Sequence, residues 1–235
     1  MRILTSLLLT LLLTTGCNAG QGEIKKNLEA RFPGAKVDSV SKTPVAGIYE
    51  VVIGGSEIVY SDANGDHLFT GDLLETASRR NLTREKADKL SEVKFDTLPL
   101  DQSFKIVKGD GKRKLAVFSD PDCPYCKKLE QELSKLDNVT IYTFIYPLPM
   151  HADSPRKSRL VWCSADRAKA WNDLMLNGTV PEGKDDCANP VEANLELGQK
   201  LNIQGTPAII LGNGKRLPGL VPADRLNAML DEAGQ

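Results

Sequence analysis

Apolar positions fall into a few distinct patterns along the chain, and each pattern predicts an element. Residues 3–13 are a mostly apolar run behind Arg2, followed by the small residues Thr14, Thr15, Gly16, Cys17, Asn18 and Ala19. The run is too short to span a bilayer comfortably. A basic start, a short apolar stretch and a small-residue exit make a secretory signal over residues 1–19, with cleavage after Ala19. The alternatives are a lipoprotein signal, in which Gly16-Cys17 makes Cys17 the lipidated residue, and a buried N-terminal helix.

Beyond the signal, residues 20–80 read as one unit. Ile24, Leu28 and Phe32 recur at helical spacing, and Pro33-Gly34 stops the repeat. Two β-rich runs, 46–53 and 57–60, flank Gly54-Gly55-Ser56 and predict a hairpin. A turn over residues 62–66 and a short strand over 67–70 follow. The unit holds no cysteine and no cluster of catalytic groups, which suits a scaffold or an interface module. Residues 81–100 read as a linker. Its polar helix over 83–90 takes Thr83 as N-cap, and its charges of alternating sign suit a solvated, semi-rigid spacer. Pro99 ends it.

Residues 101–235 carry a different pattern. An apolar strand over 114–119 runs into the turn Asp120-Pro121-Asp122, and Cys123-Pro124-Tyr125-Cys126 opens a helix. Leu129, Leu133 and Leu136 give that helix one buried face. A second strand over 139–145 completes a strand–helix–strand order, which predicts a parallel pair with a right-handed crossover. Later, Gly205-Thr206-Pro207-Ala208 leads into a strand over 209–211. Gly212-Asn213-Gly214 turns it into a hairpin, and residues 223–232 read as a closing helix.

Composition removes several function classes. The chain has 235 residues, of which 41% are hydrophobic, enough to bury a core in one large or two modest domains. Thirty basic side chains against 31 acidic ones leave a formal net charge of -1, so there is no electrostatic footprint for nucleic acid. Two histidines, His67 and His151, are little material for a His-rich metal centre or a His-driven hydrolase. There are five cysteines. Whether Cys17 leaves with the signal or is lipidated, the remaining thiols are even in number, as an oxidising compartment favours.

The C-x-x-C placement carries the chemistry. A thiol at a helix N-terminus meets unpaired backbone amides and the positive end of the helix dipole, and both favour thiolate over thiol. Cys123 is therefore expected to be the exposed nucleophile. Cys126, inside the first turn, is close enough to attack a mixed disulfide and release the client. Pro124 suits the first helical turn, where its missing donor costs little. Asp120 and Asp122 work against the thiolate. The rival readings of the motif are a zinc knuckle and a structural disulfide. A zinc ribbon, however, wants a second closely spaced pair, and Cys163 and Cys187 are far apart. Pro207, entering a strand after Gly205-Thr206, is a candidate cis peptide. Packed beside Cys123, it would let the Thr206 backbone pair with a client strand.

These residues resemble the DsbC/DsbG family of periplasmic thiol:disulfide isomerases, and the DsbC branch more closely. The matching pieces are residues 117–129, including Ser119-Asp120 and Cys123-Pro124-Tyr125-Cys126, then Trp162-Cys163 and Gly205-Thr206-Pro207-Ala208; Pro44-Val45-Ala46-Gly47 and the following hairpin match the N-terminal module. The resemblance implies an α+β, cystatin-like dimerisation domain, a linker helix, and an α/β thioredoxin fold with a helical insertion. It makes Cys123 the attacking cysteine, Cys126 the resolving one, and Thr206-Pro207 the cis-proline loop. Pro124, Tyr125, Thr206 and Pro207 become the client-binding residues. Pro124-Tyr125 departs from the usual Gly-Tyr of DsbC and matches DsbG and glutaredoxins, and this dipeptide tunes redox poise. The Cys163 and Cys187 pair favours DsbC and is assigned to a structural disulfide, with a second redox pair or a metal site as the alternatives.

The expected function is isomerisation of wrong disulfides in exported, misfolded proteins in the periplasm. It uses no cofactor or metal, and a membrane-bound donor of the DsbD type keeps the active pair reduced. A DsbG-like reductase protecting single cysteines from sulfenic acid and a non-catalytic metal-binding or holdase (chaperone) module are the rivals. Residues 20–80 are marginal in size for a self-sufficient core. Their open strand edges would pair two copies into a homodimer with two Cys123 sites around one client.

Overall fold

The structure is a computed structural model describing residues 19–234. The expected signal lies outside the described residues except for Ala19, and so does the lipidation candidate Cys17. The chain divides into two compact units between Leu90 and Ser91.

The first unit begins with helix α1 (Ala19–Arg31) and strands β1 (Val37–Lys42), β2 (Tyr49–Ile53), β3 (Glu57–Ser61) and β4 (Leu68–Phe69). The strands form one antiparallel sheet in the order β1-β2-β3-β4. Ile24 and Leu28 of α1 are buried against Val37, Val51 and Val59, which is the small core the helical spacing predicts. Phe32 does not join them. It follows the last helical residue and is 51% exposed, because a residue before proline is driven out of the α region and the helix stops at Arg31. A short ribbon of β5 (Leu74–Glu75) and β6 (Arg80–Asn81) then leads into α2 (Leu82–Leu90).

The cap of α2 differs from expectation. Asn81 caps the helix, its Oδ1 accepting from the Arg84 amide at 2.8 Å. Thr83 sits inside the first turn and is buried. Its hydroxyl accepts from the Leu73 amide at 2.7 Å and shares a hydrogen bond with the Tyr60 hydroxyl. The expected spacer is thus packed at both ends. Helix α2 lies on β3 and β5 of the first unit. Phe95 and Leu98 are buried in the second, where the Val93 amide donates to the Gly214 carbonyl at 3.0 Å. Charge alternation reports only the solvent face of such a segment and is silent about its buried residues.

The second unit is built on a five-stranded sheet. Its strands are β7 (Phe104–Lys108), β8 (Arg113–Ser119), β9 (Val139–Ile145), β10 (Ala208–Leu211) and β11 (Arg216–Pro218), in the order β11-β10-β8-β9-β7. Strands β8 and β9 are parallel, joined by helix α3 (Pro124–Ser134), and the other pairs are antiparallel. Helices α4 (Ser154–Cys163), α5 (Arg167–Asn177) and α6 (Val191–Lys200) separate β9 from β10, and α7 (Ala223–Ala233) closes the chain. The central strand β8 is apolar on both faces, as strands covered on both sides are. Leu115 and Val117 pack with Leu129 and Leu133 of α3 and Leu226 and Leu230 of α7, while Ala116 and Phe118 pack with Phe144, Tyr146 and Ile203. Helix α3 also packs on α5, so the insertion of α4 and α5 covers the helix that carries the cysteines.

The packing of Thr83 sets an expectation for stability. Thr83→Val keeps the shape but leaves the Leu73 amide and the Tyr60 hydroxyl without their partner, and should cost about 1–3 kcal/mol in urea denaturation. Thr83→Ser, which keeps the hydroxyl, should recover most of that loss; equal losses in the two variants would contradict the buried role.

Candidate active site

Three segments converge at the C-terminal end of β8. The strand ends at Ser119, and the turn 120–122 delivers Cys123 to the N-cap of α3, with Pro124 in its first turn. Strand β10 pairs antiparallel with β8, Ala208 opposite Phe118, so the residues just before Ala208 arrive beside the turn. The Thr206-Pro207 peptide bond there is cis. The Pro207 carbonyl accepts from the Gly219 amide at 2.8 Å, which ties the loop to the end of β11.

Both cysteines of the motif are free thiols, but their surroundings differ. The Cys123 thiol donates to the Thr206 carbonyl at 3.5 Å. It is only 4% exposed, against the exposed nucleophile that the motif predicts. The cis-proline loop covers it on one side, and Ile145, Val161 and Trp162 belong to the same apolar cluster. The exposed members of the motif are Pro124 and Tyr125, the latter 60% exposed with the Lys128 ammonium 5.8 Å from its ring.

Cys126 is wholly buried. Burial pushes its thiol up to about 12, against the pull of hydrogen bonds from the Ser119 and Thr206 side chains and the Asp120 amide. That amide donates to the Cys126 sulfur at 3.4 Å. The two sulfurs share one apolar cluster but meet different partners, Cys123 the Thr206 carbonyl and Cys126 the Asp120 amide.

The acids of the turn are both engaged. The Asp120 carboxylate has no exposure to water. It accepts from the Asp122 amide at 2.7 Å, the Leu148 amide at 2.5 Å and the Ser154 hydroxyl at 2.7 Å, and His151 Nδ1 lies 2.9 Å away. Asp122 pairs with the Lys157 ammonium at 2.5 Å. Both carboxyl groups are therefore engaged by partners within the turn, the following loop and α4.

Cys163 and Cys187 are joined in a disulfide, which ties the end of α4 to the loop before α6. The Arg159 guanidinium holds Asp185 of that loop at 2.8 Å, and the Arg167 guanidinium stacks on the Trp162 ring at 3.8 Å. Among the described residues, no group of three or more His, Cys, Asp and Glu could hold a metal ion.

The structure thus brings Cys123, Cys126, Thr206 and Pro207 to one place, with Pro124 and Tyr125 on its rim. Pattern reading missed His151, which meets the Asp120 carboxylate, and away from the thiols it missed the buried Glu130 of α3. Glu130 is fully buried and accepts from Trp171 Nε1 at 2.7 Å. Its spacing of four residues from Cys126 places it on the buried face, a signal available in the sequence but masked by the expectation that acids face water.

Fold and site together define the class, a thioredoxin-like domain whose C-x-x-C pair opens a helix opposite a cis-proline loop. The family model for a thioredoxin-like domain matches residues 100–234, and that for the N-terminal domain of disulfide bond isomerase proteins matches residues 16–84. A probable thiol:disulfide interchange protein DsbC of Bordetella parapertussis is 45% identical over 207 residues, covering 88% of this chain and 73% of that protein. The thiol:disulfide interchange protein DsbC of Escherichia coli is 26% identical over 203 residues, covering 85% of this chain and 83% of that one. The crystal structure of a disulfide interchange protein from Neisseria gonorrhoeae superposes with a TM-score of 0.57 at 43% identity, over 59% of this chain and 99% of that one. The chain belongs to the DsbC family of thiol:disulfide interchange proteins, which are thiol–disulfide oxidoreductases.

The buried acid makes stability depend on pH. Burial raises the Glu130 carboxyl to about 7, outweighing the Trp171 hydrogen bond and the nearby Lys108 charge. The folded state therefore binds the extra proton between the ordinary carboxylate range and about 7. This contribution is fully present below the unfolded value and is lost as pH rises through the folded one. Glu130→Gln, which still offers Trp171 an oxygen, should abolish that fall and be more stable than the parent at pH 8 by roughly 2–3 kcal/mol. Parallel stability–pH curves for the two proteins between pH 5 and 8 would refute the assignment.

Proposed function

We propose that the protein isomerises wrong disulfides in exported proteins in the periplasm, with Cys123 as the attacking thiol and Cys126 as the resolving one. Cys123 thiolate attacks a client disulfide, forming a Cys123–client bond and releasing a client thiolate. Either another client thiol then attacks the mixed disulfide, which rearranges the client, or Cys126 does, which releases a reduced client and leaves Cys123 and Cys126 joined.

The observation that carries this reading is the contrast between the two sulfurs. Cys126 is wholly buried, and burial pushes its thiol up to about 12, which makes it a reluctant nucleophile at neutral pH. Slow resolution leaves the mixed disulfide open to client thiols, which is the kinetic condition for isomerisation over reduction. Pro124, Tyr125 and the Thr206-Pro207 backbone line the approach to Cys123 and would hold the client segment. The Cys163–Cys187 bridge serves as a structural tie of the insertion. A DsbG-like reductase is the second reading, favoured by Pro124-Tyr125 in place of Gly-Tyr. Continued turnover as an isomerase requires a reduced pair, and a membrane donor of the DsbD type would supply the electrons.

Cys126→Ser should accumulate client complexes through Cys123, visible on a non-reducing gel of periplasmic extract. Their absence, or equal abundance in a Cys123→Ser, Cys126→Ser double variant, would remove Cys123 as nucleophile. Recovery of scrambled ribonuclease distinguishes isomerase from reductase, since a reductase would release reduced client without restoring activity.

The first unit suits assembly into a homodimer. Val45, Phe69 and Leu74 are exposed apolar side chains, and Val45, Ile48, Tyr60, Phe69 and Leu73 line a shallow hollow of about 250 Å³ beside the open strand β4. Two copies would place two Cys123 sites in one molecule. Sedimentation of the processed chain at micromolar concentration should give a dimer, and Phe69→Glu should shift it towards monomer; a monomeric parent would overturn the arrangement.

A further inference from the structure

Among the described residues, the second unit exposes five large apolar side chains, Val107, Tyr125, Met150, Leu176 and Leu220. Three of them stand around Cys123. Tyr125 belongs to the motif itself, and Leu220 follows Gly219, whose amide holds the Pro207 carbonyl at 2.8 Å. Met150 lies on the loop that leaves β9 and, at 78%, is the most exposed of the five. A single exposed apolar residue is ordinary on a protein surface. Met150 differs in that the turn displaying it has little freedom to move.

That turn spans Leu148 to His151. The His151 amide donates to the Leu148 carbonyl at 3.0 Å and closes it, while Pro149 fixes the backbone at its first corner. Both ends also converge on one oxygen, since the Leu148 amide and His151 Nδ1 lie 2.5 and 2.9 Å from Asp120 Oδ2. Asp120 is wholly buried, and its carbonyl accepts from the Cys123 amide at 3.2 Å. Behind the turn, the Tyr146 amide donates to the Ser119 carbonyl at 2.8 Å and fastens the loop to the end of β8. One frame thus carries both the Met150 side chain and the Cys123 sulfur.

We propose that Met150 is a specificity-determining residue of the client site, taking an apolar side chain that neighbours the client cysteine while that cysteine is joined to Cys123. This role rests on the reading of Cys123 as the attacking thiol. Cysteine is among the most buried residue types in folded proteins, so the segments that carry it are core segments. A wrong disulfide keeps such a segment in water, and its apolar neighbours are what a client presents at the site. A methionine side chain is unbranched and polarizable, and it fits apolar partners of different shapes without demanding one sequence. Because the turn is ordered beforehand, the contact forms without the cost of ordering a loop.

Two synthetic peptides read this contact on the reduced full chain. Each carries one cysteine as a mixed disulfide with 2-nitro-5-thiobenzoate, flanked by leucines in one peptide and by serines in the other. Cys123 thiolate attacks the peptide sulfur, the Cys123–peptide bond forms, and the electron pair leaves on the coloured thiobenzoate. The single-turnover rate of the parent should favour the leucine peptide. Met150→Ser should lose about fivefold of that preference, as expected for uncovering part of one apolar side chain. The loss should appear in the concentration that half-saturates the rate and leave the limiting rate in place. Met150→Leu, which keeps an apolar side chain, should retain the preference. An unchanged preference in Met150→Ser, or equal slowing with both peptides, overturns the proposal. Dissociation of Met150→Ser into smaller species in sedimentation also overturns it, because the side chain would then belong to a contact between copies. Release of thiobenzoate at the parent rate by Cys123→Ser would instead sink the reading of Cys123, apart from the role of Met150.

Discussion

Asp120 is the constraint on which the catalytic unit depends. A carboxylate without water is tolerable only when donors surround it, and removing even one partner from such a group is costly. Here the donors come from the turn at Asp122, the loop at Leu148 and His151, and the start of α4 at Ser154. One side chain thereby fastens the helical insertion to the turn that presents Cys123. Its own amide meanwhile donates to the Cys126 sulfur. One residue thus links the turn, the insertion and the buried sulfur.

Burial then divides the labour of the two thiols. Cys123 occupies the N-cap, where the first-turn amides and the helix dipole favour negative charge. Cys126, one turn further along, enters the apolar cluster with Trp171 and Val161, and its thiolate is correspondingly disfavoured. Three positions along the chain separate a sulfur at the helix N-cap, against the Thr206 carbonyl, from one wholly enclosed in the first turn. Glu130, one further turn on the same face, is subject to the same desolvation.

The first unit follows simpler rules. Ile24 and Leu28 lay one helix face on the sheet, and the Thr83 hydroxyl satisfies the Leu73 amide and Tyr60 beneath α2. Among the described residues, the free thiols and the disulfide all lie in the second unit.

Local pattern alone determined much of this protein. The alternation and runs of apolar residues located the hairpin of the first unit, the β8–α3–β9 crossover and the closing helix, because those signals depend only on neighbours in sequence. Cys123-Pro124-Tyr125-Cys126 at a strand-to-helix turn declared thiol chemistry for the same reason, and Thr206-Pro207 marked the opposite wall. Tertiary structure decided the rest. The shielding of Cys123 depends on a loop 83 residues away, and the engagement of Asp120 on donors about 30 residues on. The cap falls to the Asn81 amide oxygen because the Thr83 hydroxyl is engaged by the Leu73 amide and Tyr60. Hydrogen-bond satisfaction in a water-free interior is a property of the assembled fold, and no window of sequence contains it.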